Sequence, residues 1–145
     1  YDSARVLYER SITIKEQQLG FEHPSVMYSL NNLATLYIDT QQYDHARPLL
    51  QRVITISEKV FGPSHPNLAN AMNNFAMLLL SQSDNKQAEF LLNRVLQIYK
   101  KSLGETHPSV AETLILLSSL ASKEKDYQYA ANLAEQVLRI REHSY

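Results

Sequence analysis

Apolar positions along the chain recur at spacings of three and four residues, and the stretches that do so come in pairs. From Pro24 to about Thr40 they are Val26, Met27, Leu30, Leu33, Ala34, Leu36 and Tyr37. From Tyr43 to about Val60 they are Ala46, Leu49, Leu50, Val53, Ile54 and Ile56. Both stretches follow the i, i+3, i+4, i+7 rule of a helix with one buried stripe. The same rhythm predicts helices at about 1–19, 24–40, 43–61, 66–82, 85–103, 108–124 and 127–144. The connections are short, so neighbouring helices are expected to be antiparallel and the fold class all-α.

The breaks between these stretches repeat. Gly20, Gly62 and Gly104 stand 42 residues apart, and so do His23-Pro24, His65-Pro66 and His107-Pro108. Ala4, Ala46, Ala88 and Ala130 share that spacing, as do Leu36, Leu78 and Leu120. A fixed period in this range signals a repeat array. Each Gly is placed to end a helix in the left-handed conformation that Gly tolerates, and each Pro to start the next where a missing N–H matters least. The expected organisation is one array over 1–145, made of an orphan second helix (1–19) and units 24–61, 66–103 and 108–144. The end helices keep the internal apolar pattern where a finished array would carry polar caps. With Tyr1 in first position, this reads as an excised piece of a longer array.

Composition narrows the field further. Only 3 of 145 residues are Gly and none is Cys, which leaves no disulfide framework, thiolate metal site or Gly-rich phosphate loop. The net charge of −1 gives no general attraction to nucleic acid or to an acidic membrane surface. No apolar run approaches the length of a membrane span. Together with the lack of a secretory h-region or a glycosylation sequon, this points to the cytoplasm.

The residues themselves name the repeat. Leu19-Gly20, His23-Pro24, Leu30-Asn31-Asn32-Leu33-Ala34-Thr35-Leu36-Tyr37 and Ala46-Arg47-Pro48-Leu49 resemble the 42-residue tetratricopeptide repeats of kinesin light chains and nephrocystin-3-like proteins. That resemblance covers the whole chain. It implies a right-handed superhelix of antiparallel helix pairs, a solenoid whose concave wall comes from the first helix of each unit. The third unit departs furthest, with Ser118 for the small Ala and Ala121 for the equivalent of Tyr37. Gln41, Ser83 and Lys125 stand where many such repeats have Gly.

Three His residues invite a metal reading. Equivalent residues two packed helices apart lie roughly 16–20 Å from each other, too far to share one zinc. Their expected role is to cap helices. No catalytic motif is present, so no enzyme activity, cofactor or metal is expected. The expected function is a non-catalytic scaffold that binds a protein or peptide partner along the concave wall. On this resemblance the wall residues are Tyr28, Asn31 and Thr35 in the first unit, with Ile38 and Asp39 on the same stripe, then Asn70, Asn73, Met77 and Leu80, with Ser81. In the third unit they are Glu112, Ser119 and Lys123, with Ile115 and Ser122 on the same stripe. Asn is a poor mid-helix residue, and an Asn amide both donates to and accepts from a ligand backbone. Lys123 stands against Asp39 and Glu112 on the wall, so a neutral to partly apolar segment is expected, not a carboxylate-terminal one. The alternative is an assembly module, self-associating through its terminal helices.

Overall fold

The computed structural model describes residues 1–143. Among them lie seven helices: α1 (Asp2–Leu19), α2 (Pro24–Asp39), α3 (Tyr43–Phe61), α4 (Pro66–Ser81), α5 (Asn85–Leu103), α6 (Pro108–Lys123) and α7 (Tyr127–His143). The bounds fall within about one residue of those the apolar rhythm predicts. The expected end at position 144 lies outside the described residues.

The breaks work as backbone devices. Gly20, Gly62 and Gly104 have φ of 93°, 87° and 95°, with ψ of 161°, 174° and 154°. That region is essentially confined to glycine. A Cβ placed at any of the three would meet nothing within 4 Å, so the requirement is conformational and not steric. Next comes a His cap. The Nδ1 atoms of His23, His65 and His107 accept from the backbone N–H of Ser25, Asn67 and Ser109, each at 3.1 Å. Each cap satisfies one of the amides that every helix start leaves without a partner. The other end of each first helix turns at Gln41, Ser83 and Lys125, whose φ values of 59°, 61° and 63° are unusual for non-glycine residues.

The chain divides into two compact units, residues 1–63 and 64–145. In the first, α2 packs on α3 and on α1. Tyr37, late in α2, stacks on His45, early in α3, with ring centroids 5.2 Å apart. Met27, early in α2, accepts from Ser57, late in α3. The two helices are therefore antiparallel. Ala34 and Ala46 are fully buried, the small residues that let the pair approach closely. α1 is tied on by Tyr37 to Glu9 (3.3 Å) and by an Arg52–Glu16 ion pair (2.6 Å). Arg52 also bonds the Phe21 carbonyl, which fixes the Gly20 loop against α3.

In the second unit α4 pairs with α5 and α6 with α7, and α5 also packs on α6. Its core runs through Leu68, Met72, Leu78, Leu79, Leu92, Val95, Leu114 and Leu117, all nearly or fully buried. The divergent Ser118 sits where α6 and α7 come together, and its hydroxyl donates to the Ala130 carbonyl at 3.1 Å. Thus the polar atom that Ser adds at this close approach is hydrogen-bonded.

Candidate peptide-binding wall

The first helix of each pair buries one stripe against its partner, and the residues between the buried positions form a second stripe. On α2 this stripe carries Tyr28, Asn31 and Thr35, at steps of three and four. Tyr28 is 57% exposed, Asn31 is half-buried and Thr35 is exposed. The Thr35 hydroxyl donates back to the Asn31 carbonyl at 3.0 Å, which commits its proton within its own helix and leaves its oxygen able to accept.

On α4 the stripe is Asn70, Asn73, Met77 and Leu80; on α6 it is Glu112, Ile115, Ser119, Ser122 and Lys123. Asn73 and Met77 face Glu112 and Ile115 across a cavity of about 330 Å³. Four of the wall residues expected from sequence (Asn73, Met77, Glu112 and Ile115) thus line one site. Ser119 and Lys123 line a second opening of about 640 Å³ with Val137, Leu138 and Arg141 of α7. Ile115 borders both. Leu80 is half-buried on α4. Asn70 is exposed, and its side-chain oxygen accepts a short hydrogen bond from the Tyr99 hydroxyl.

Tyr99 comes from α5, a second helix, and the stripe rule does not reach it. It also lines the smaller cavity and is only 6% exposed. Burial pushes its phenol above the ordinary value, and the neighbouring Glu112 carboxylate pushes it further the same way. The hydroxyl is therefore a neutral donor at physiological pH. A signal for this position does exist in the sequence. Lys15, Ser57, Tyr99 and Arg141 stand 42 apart and are four different residues. Each reaches beyond its own helix or borders an opening. Lys15 bonds the Ser29 hydroxyl at 2.7 Å, Ser57 bonds Met27, Tyr99 bonds Asn70, and Arg141 lines the larger opening. The two openings are counterparts in successive repeats, because Ile115, Ser119 and Arg141 follow Asn73, Met77 and Tyr99 by one period.

Among the described residues no three His, Asp or Glu side chains are grouped to hold a metal, and the His rings spend Nδ1 on helix caps. No helix among the described residues is long and apolar enough to cross a membrane.

A tetratricopeptide repeat family model matches residues 1–59, 25–101 and 91–143. No curated protein matches the chain. Among solved structures, BtubC (BKLC) from P. vanneervenii superposes with a TM-score of 0.90 at 22% identity, over 99% of this chain and 57% of that one. A Podosopora anserina protein, described as a kinesin light chain with nearly identical TPR-like repeats, gives 0.82 at 29% identity, over 99% and 68%. The apo form of RapI gives 0.82 at 19% identity, over 97% and 49%. The chain therefore spans little more than half of BtubC and about half of RapI.

Proposed function

Because the chain belongs to the tetratricopeptide repeat family, in the form that kinesin light chains carry, we propose that it binds an extended peptide segment along its first helices, in the second unit along α4 and α6. The family is one of protein-interaction scaffolds. The single observation that carries the finer reading is the cavity in which Asn73, Met77 and Glu112 meet. Asn31 and Asn73 occupy equivalent wall positions one period apart, each able to donate to and accept from a peptide backbone. Met77 is 45% exposed, an adaptable apolar surface for a partner side chain. A neutral to partly apolar segment matches this lining. On this reading residues 1–145 serve as one array, Tyr28, Thr35, Asn70, Leu80, Ser119 and Lys123 extend the contact, and the protein acts in the cytoplasm without catalysis.

The test is binding of a random peptide library to the wild type and to the Asn31→Ala/Asn73→Ala variant. Loss of at least about tenfold in affinity, with unchanged helicity, is the expected result. Unchanged affinity with an intact fold rules the wall out. A second reading, assembly through the terminal helices, draws on Val6, Leu7 and Leu138, which are 52%, 67% and 58% exposed. Light scattering separates the two: a mass that rises with concentration favours assembly, and a strict monomer that binds peptide favours the wall.

A further inference from the structure

The cavity between α4, α5 and α6 has a one-sided chemistry. Its apolar walls are Met77, Ile115 and Leu116, and its polar lining includes Asn73, Tyr99 and Glu112. Glu112 brings the one formal charge in the lining, is exposed, and among the described residues has no ion-pair partner. The three polar groups also share a capacity. A carboxylate, an amide oxygen and a phenol oxygen all accept hydrogen bonds, and the Tyr99 proton is already committed to Asn70. An ammonium or guanidinium only donates. One period further along the wall the sign reverses, where Lys123 and Arg141 line the counterpart opening.

We propose that this cavity receives a lysine or arginine side chain of the bound segment, its methylene stem against Met77, Ile115 and Leu116 and its cationic head at Glu112. The proposal rests on the peptide-wall reading and adds a charge and a register to it. Long basic side chains bury their stems on apolar surface while the head stays at the polar edge. Lys123 and Arg141 repel a cation from the counterpart opening, so of these two openings the one at Glu112 suits a basic residue.

The experiment uses three acetylated and amidated peptide libraries that differ at one fixed position, occupied by Lys, norleucine or Glu, with neutral residues randomised around it. Norleucine keeps the stem and lacks the charge. Fluorescence polarisation should find the Lys library bound about fivefold more tightly than the norleucine library, in keeping with a solvent-edge ion pair, with the Glu library weakest. High salt should shrink this preference. Glu112→Gln should bring the Lys library to the level of the norleucine library, and Glu112→Lys should reverse the preference. Equal binding of the Lys and norleucine libraries, or a Lys preference that survives Glu112→Gln, overturns the charge assignment and leaves the wall reading standing. If the wild type binds none of the libraries, both fall.

Discussion

The Gly-x-x-His-Pro joints and the second-helix position 15/57/99/141 obey opposite rules. At the joints, three copies use the same residues in the same geometry: a glycine at φ near 90° and a His cap at 3.1 Å. At the second-helix position, four copies use four residues, each with different contacts. The joints set the angle at which one helix hands over to the next, and any departure costs backbone energy, so repetition is enforced there. The second-helix position faces groups outside its own helix, and its contact changes from copy to copy, from the fully buried Ser57 to Arg141 at an opening. Identity at the joints marks the frame, and variation at the second-helix position marks where one copy can differ from the next.

That contrast can be broken by substitution. Joint variants should lose stability and keep their binding preference, and the Glu112 variants should do the reverse. The largest effect is expected for Gly62→Ala. Its φ of 87° and ψ of 174° are strained for any residue with a Cβ, so a loss of about 1–3 kcal/mol should appear in urea unfolding. Since the space around that Cβ is open, a loss much larger than this would mean that crowding, not backbone conformation, governs the joint.

His107→Ala should cost about 1 kcal/mol through the lost cap, and His107→Asp should recover most of it. Denaturant midpoints of the three proteins give the answer directly. Tyr99→Phe removes the hydrogen bond to Asn70 and should cost about 1 kcal/mol. It should also change the alkaline behaviour. The folded-state pKa of Tyr99 is raised, so the folded state holds its proton more tightly than the unfolded chain does. The stability this contributes is fully present below the ordinary tyrosine value of 10.0 and is lost as pH rises through the higher folded value. Unfolding midpoints measured across that range should fall less steeply for Tyr99→Phe than for the wild type. The smallest effect is expected at Lys125, whose φ of 63° suits glycine; Lys125→Gly should stabilise by about 0.5 kcal/mol in thermal unfolding.

Much of this architecture was legible in the residues. Helix ends could be placed because Gly, His and Pro punctuate the chain at a fixed period and each acts locally. Burial was readable at Leu30, Leu33, Ala34, Ala46, Leu50 and Val53, all buried, because a helix turns its stripe toward one neighbour. Leu49 and Ile54, counted in the same stripe, are only half-buried; they lie at its edge, where the geometry of the partner decides. Likewise, the stripe rule brought Asn73, Met77 and Glu112 to one cavity, since each sits on a first helix. Tyr99 escaped it, because the rule ignores second helices and the contact with Asn70 depends on how α4 and α5 are paired. The glycine geometry differed in detail too. A left-handed helical turn was the expectation, and the observed ψ values place all three glycines in the extended region that mirrors a strand.

Within each unit, the main helix contacts join elements that are neighbours in sequence: α1 with α2 and α2 with α3, then α4 with α5, α5 with α6 and α6 with α7. Such an arrangement has consequences for inheritance as well as for folding. Local contacts form without closing long loops, so each pair is expected to assemble quickly. A gene that duplicates one 42-residue unit copies that unit's contacts along with it, joint included. The copy then adds one more second-helix position with no fixed residue, and its partner preference can drift by point mutation while the frame stays as it was.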